Sequence, residues 1–262
     1  RLVLFAAVLL RWSNPMRPTL IAGNWKMNGS LQTVIELVEG IKAGVVINAK
    51  LAVCPPSVFL MKVGGMLKDS PVALGAQNVC DQASGAYTGE ISAAMLKECG
   101  CQYAIVGHSE RRALYLESDE LVANRFAKAV QSGLTPILCV GETLQEREGG
   151  ITEAIVARQL DAVINLSGIE AIGKSVIAYE PVWAIGTGQV ATPEQAQAVH
   201  RFIREKLAAL DPMVAQRIQI IYGGSMNPAN AGELLSQPDI DGGLIGGAAL
   251  KASDFLAIGQ SV

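Results

Sequence analysis

From Thr19 onward the chain alternates short apolar runs rich in β-branched residues with longer stretches whose apolar positions recur at three- and four-residue spacing. The first kind reads as buried strand, the second as amphipathic helix. TLIAGNW, KLAVCP, VALGAQ, YAIVG, PILCVG, SVIAYEP, RIQIIYG and IDGGLIG give eight expected strands. Segments 30 to 43, 118 to 131, 151 to 165 and 193 to 209 are the clearest helices between them. The start of the last is written in TPEQ. Thr192 can cap, Pro193 suits the first helical position, where no N–H is needed, and Gln195 can complete a capping box.

Strand and helix alternating along a chain imply parallel crossovers, hence a closed barrel or an open doubly wound sheet. The G-x-G-x-x-G fingerprint of a dinucleotide-binding open sheet is missing after the first strand, and eight strands suit closure. The 262 residues are near the roughly 250 typical of one such barrel. Half of them are hydrophobic and only 17% are charged, as a parallel sheet buried on both faces requires. No linker or composition shift divides the chain. The expected fold is therefore a single closed eight-stranded parallel (β/α)8 barrel over residues 16–262. RLVLFAAVLL at the start is too short to span a bilayer and is followed by no A-x-A cleavage site. Met16 opens the first strand pattern, so residues 1–15 read as upstream or non-native sequence.

A net charge of −3 supplies no basic field for nucleic acid and no polybasic anchor for a membrane. Five cysteines and two histidines, without paired CxxC spacing, make a zinc site improbable. The cysteines read as reduced core thiols of a cytoplasmic protein.

In a barrel of this kind the C-terminal strand ends converge on one face. Those ends carry Asn24 and Lys26 in GNWKMN, His108, Ser109 and Glu110 in GHSERR, and Glu180 in AYEPVWAIGTG, with glycine-rich YGGS and IGG after the last two strands. An acid at the end of a buried strand can serve as a proton acceptor. A lysine beside it supplies fixed charge, and glycine-rich loops let backbone N–H groups approach an anion.

GNWKMN, GHSERR, CVGE, AYEPVWAIGTG, YGGSMNP and LIGGAALK together closely resemble the triosephosphate isomerase family, in order and spacing, over residues 17–262. The resemblance implies an aldose–ketose isomerase of glycolysis and gluconeogenesis that acts on D-glyceraldehyde 3-phosphate and dihydroxyacetone phosphate through an enediolate. Glu180 would move the proton, with its basicity raised by desolvation when the following loop closes and covers it with Trp183 and Ile185. His108 would polarise the substrate oxygens as a neutral imidazole, its pKa lowered by the helix N-terminus at SERR. Lys26, beside Asn24, would supply positive charge. Glu110 would orient Lys26, or form an ion-pair network with Arg111 and Arg112. Gly186, Ser225, Gly246 and Gly247 would bind the phosphate. Pro181, Val182, Trp183, Ala184, Ile185, Gly186 and Thr187 would form a lid that keeps water from the intermediate. Loop 77–90 is either a plain surface loop or, by resemblance, the arm of a homodimer, bringing Thr88 near the neighbour's Asn24 and Lys26. No metal or organic cofactor is implied.

One position departs from the family pattern: Ala249 stands where serine is usual, which removes a hydroxyl expected near the phosphate loop. A Schiff-base aldolase on the same fold would need a reactive lysine inside the barrel, where strand six offers Glu180 instead. A non-enzymatic binding role has no need of Lys26, His108 and Glu180 together.

Overall fold

The computed structural model describes residues 17–46, 48–186 and 189–262; residues 1–15, Met16 and Thr187 lie outside them. Eight strands form in sequence order: β1 (Thr19–Asn24), β2 (Ala49–Cys54), β3 (Ala73–Ala76), β4 (Cys101–Val106), β5 (Thr135–Val140), β6 (Val176–Tyr179), β7 (Gln219–Tyr222) and β8 (Gly242–Ile245). Each pairs in parallel with the next, and β1 also pairs with β8, so the sheet closes into a barrel. The helices among the described residues are α1 (Leu31–Ala43), α2 (Leu60–Leu67), α3 (Ala93–Glu98), α4 (Ser109–Leu114), α5 (Asp119–Gln131), α6 (Leu144–Glu148), α7 (Thr152–Ser167), α8 (Ile169–Ile172), α9 (Pro193–Ala208), α10 (Pro212–Arg217), α11 (Ala231–Leu235) and α12 (Ala252–Gln260).

All eight expected strands are present, and the local signals act as chemistry dictates. Thr192 caps α9 with Pro193 at its first turn, and Gln195 closes the capping box. SVIAYEP is strand only over Val176–Tyr179, because Pro181 has no N–H for the ladder. The Glu180 N–H still reaches Val140 O at 2.8 Å, which keeps the residue registered to β5 as the chain leaves the sheet.

Successive strand residues face opposite sides. Leu20, Ala22, Ala52, Ile105, Ile137, Cys139, Ala178 and Ile221 fill the barrel, while Ile21, Val53, Ala104, Leu138 and Ile177 pack outward under the helices. Burial on both faces is why the strands read as continuous apolar runs rather than alternating ones. The five cysteines are free thiols, four of them buried, and burial pushes Cys101 up to about 12. No helix among the described residues is long and apolar enough to cross a membrane.

Candidate active site

Glu180 is wedged at the C-terminal mouth between two glycines. A Cβ on Gly141, at the end of β5, would collide with the Glu180 carbonyl oxygen, and one on Gly223, after β7, would sit 2.8 Å from Glu180 Cγ. Glycine at both neighbouring strand ends is thus what lets an acid occupy this place. The carboxylate is buried, with Glu180 1% exposed. Its Oε2 accepts the Ser109 N–H at 2.9 Å, and Oε1 accepts the Ser109 hydroxyl at 3.2 Å. His108 Nε2 lies 2.9 Å from Oε1.

His108 is placed by a turn at Gly107, whose φ of 71° favours glycine, and it caps α4. Its Nδ1 accepts the Glu110 N–H at 3.3 Å, so Nε2 carries the proton that faces Glu180. The helix N-terminus expected at SERR is therefore present and aimed at the ring. The expected pKa directions are reversed. Burial, the largest influence, pushes Glu180 up, but His108 and the two Ser109 donors outweigh it and hold the carboxyl below its ordinary value. Burial likewise pushes His108 down, but Glu180 and then Glu110 outweigh it, so the imidazole lies above its ordinary value. The physical reason is direct contact: each group stabilises the charged form of the other.

Lys26 stands in the left-handed region, φ 51°, an unfavourable conformation for a residue with a Cβ. Two contacts hold it there. Asn24 Oδ1 accepts the Lys26 N–H at 3.0 Å, and Gln77 Nε2 donates to the Lys26 carbonyl at 2.8 Å. The side chain pairs with Glu110, Nζ to Oε1 2.6 Å. Arg111 and Arg112 pair elsewhere, with Glu117 and Asp119, so the alternative network does not include Glu110. The amine that a Schiff-base aldolase would need is here a charged partner of a carboxylate.

Asn24, Lys26, His108, Gly186, Ser225, Gly246 and Gly247 line one cavity of about 360 Å³; Glu180 is not in this lining and meets it through His108. Ser225 Oγ does not point into free space; it donates to Ala184 O at 2.9 Å, tying the segment after β7 to the proposed lid. Val182–Ala184 form a single 3-10 turn after Pro181, closed at Ile185 by its N–H to Val182 O at 3.2 Å. Trp183 Nε1 donates to Glu142 Oε1 at 2.9 Å. Gly186 is exposed with φ 68°.

Thr88 and Ala249 are also outside this lining. Thr88 is exposed on the 77–90 loop, whose base is pinned by the Cys80 N–H to Ile91 O at 2.9 Å and by Arg125 NH1 to Asn78 Oδ1 at 2.6 Å. Ala249 is fully buried and packs inward toward Gly23, so the hydroxyl missing there is not one that would face an anion in the cavity. Sequence reasoning missed Ser109 as the holder of Glu180, Glu142 as the acceptor for Trp183, and Gln77. The first two lie inside GHSERR and CVGE, whereas nothing local marks Gln77.

The cavity lining thus presents an imidazole and an ammonium, and the imidazole is bonded to a buried carboxylate, so a proton acceptor, a hydrogen-bond donor and fixed positive charge stand together. Comparison with known proteins agrees with this chemistry. The family model described as triosephosphate isomerase matches residues 19–262. The triosephosphate isomerase of Ralstonia nicotianae is 57% identical over 245 residues, covering 94% of this chain and 99% of that protein. Those of Thiobacillus denitrificans and Dechloromonas aromatica are each 58% identical, over 243 and 244 residues, covering 93% of this chain and 98% of each relative. The chain belongs to the triosephosphate isomerase family.

Proposed function

We propose that the protein interconverts D-glyceraldehyde 3-phosphate and dihydroxyacetone phosphate by proton transfer through an enediolate, in glycolysis and gluconeogenesis in the cytoplasm. The observation that carries this reading is the buried Glu180 carboxylate held 2.9 Å from Nε2 of His108, which lines the same cavity as Lys26. Three donors, His108 Nε2 and the N–H and hydroxyl of Ser109, keep Glu180 a weak base. Turning toward a substrate carbon exchanges those bonds for an apolar surrounding, and burial then raises its basicity. The same movement leaves His108 Nε2–H free to donate to the substrate oxygens, with Nδ1 still occupied by a backbone N–H. Lys26, steadied by Glu110, offsets the negative charge of the enediolate, and Asn24 holds the Lys26 backbone.

The phosphate is assigned to backbone N–H groups at Gly186, Ser225, Gly246 and Gly247; the three glycines have no side chain to keep an anion away, and the Ser225 hydroxyl is turned to Ala184 O. The segment from Pro181 to Thr187 covers the intermediate, which would otherwise lose its phosphate in water. Base, donor and cation all come from side chains, so the reaction calls for no metal or organic cofactor. Loop 77–90 is assigned to a homodimer interface; exposed Tyr87, Leu114 and Leu116 and the protruding Thr88 favour that reading. A fully active monomer in sedimentation experiments would overturn the dimer.

The direct test is a coupled isomerisation assay of wild type beside Glu180→Gln. Rapid turnover falling by about 10²–10⁴-fold in the variant is expected for loss of a general base. A folded, inactive wild type, or a variant of undiminished rate, would refute the assignment.

A further inference from the structure

We infer that Arg147 is a positioning residue for the lid, clamping the Trp183 ring beside Glu142, an inference that rests on the lid reading above. Arg147 lies on α6, a short helix started by a capping box in which Glu146 Oε2 accepts the Thr143 N–H at 2.8 Å. Its guanidinium carbon stands 4.6 Å from the centroid of the Trp183 ring, and NH1 is 3.1 Å from Glu142 Oε1. That same oxygen accepts the Trp183 indole N–H at 2.9 Å and the Tyr179 hydroxyl at 3.1 Å.

The arrangement matches the charge distribution of an indole on both counts. The ring face is negative and meets a cation, while the N–H edge is positive and meets a carboxylate oxygen. The Val182 N–H also donates to Glu142 O at 3.1 Å, so backbone and ring of the lid's first half both rest on the segment between β5 and α6. Glu142 is fully buried, whereas the Arg147 side chain keeps 25% of its exposure. Arg147 therefore does two things. It compensates a buried carboxylate, and it fixes the plane of Trp183, three residues beyond Glu180. With Arg147 gone, Ala184, Ile185 and Gly186 lose one anchor, keeping the Ser225 hydroxyl bond to Ala184 O, and water reaches the enediolate more often.

The test measures inorganic phosphate released per ketose formed from glyceraldehyde 3-phosphate. Arg147→Met keeps the aliphatic stem and removes the charge, but leaves Glu142 buried without its counter-ion and can lose stability for that reason alone. The double variant Glu142→Gln with Arg147→Met removes the need for a counter-ion and keeps an amide oxygen for Trp183 and Tyr179. The phosphate share is expected to rise about fivefold in both, the size expected for loss of a cation over a half-buried ring, with Arg147→Lys in between. A purely structural arginine would leave the product ratio of the double variant at the wild-type value, and that result would overturn the inference alone. A wild type without isomerase activity would overturn the functional reading and this inference with it.

Discussion

His108 Nε2 stands 2.9 Å from Glu180 Oε1, so the proposed base and the proposed electrophile hold one another. Each pKa direction is a consequence of that contact: Glu180 lies below its ordinary 4.5 and His108 above its ordinary 6.5, against the pull of burial on both. In Glu180→Gln the carboxylate is gone, while burial and the Glu110 N–H at Nδ1 remain. The His108 midpoint is expected to drop relative to wild type, read from imidazole proton resonances across a pH titration; an unchanged midpoint would refute the coupling. The linkage has two edges. Stability from the raised His108 is full below 6.5 and lost as pH rises through its folded pKa. Stability from the depressed Glu180 is full above 4.5 and lost as pH falls through its folded pKa. The stability advantage of wild type over the variant is thus expected to be greatest between those values.

Trp25 Nε1 is buried with no hydrogen-bond partner among the described residues. A Cβ placed on Gly23 would lie 3.4 Å from that nitrogen and 2.9 Å from Ala249 Cβ, so the indole N–H and the Ala249 methyl flank the same point. Ala249→Ser brings a hydroxyl oxygen to this neighbourhood. Satisfying a buried N–H is worth about 1 kcal/mol, or about 2–4 °C in Tm for a chain of this size. Calorimetry should show that gain with KM unchanged, because position 249 does not line the cavity. A lower Tm would mean that the packing around Gly23 leaves the oxygen no room.

The barrel was legible because its strands are buried on both faces, so that VIAY and QIIY announce themselves by composition alone. TPEQ likewise carries its own cap. The site was legible as a set of residue types at strand ends, and GHSERR even contains the backbone donor that meets His108 Nδ1. What a linear reading could not supply is contact between distant residues. Ser109 meets Glu180 across 71 positions, and Lys26 is bent by Gln77 across 51. The pKa directions went astray for the same reason: an apolar neighbourhood shows in the sequence as burial, while the hydrogen bonds that outweigh it do not. Ala249 stands out in GGAALK because serine is usual there, but that its methyl points toward Gly23 is not legible in the sequence.

His200 lines no part of the cavity and gives the protein a predictable weakness in acid. It is fully buried on α9, edge-on to Tyr179 at 5.7 Å between ring centroids, with Nδ1 3.1 Å from Asp239 O. Burial is the main cause that pushes its pKa from 6.5 down to about 4. Between those values the unfolded chain binds a proton that the folded protein refuses, so stability falls as pH falls through the window. The loss attributable to this residue is roughly 2 kcal/mol by about pH 5. His200→Phe keeps a planar ring beside Tyr179 and removes the titration; Asp239 O retains the Arg204 NH2 donor at 3.3 Å. Urea unfolding of both proteins at about pH 7 and pH 5 isolates the effect, because all other titrating groups are shared. Wild type is expected to lose the extra stability and the variant not to. Equal losses in the two proteins would show that His200 takes up its proton in the folded state at little cost.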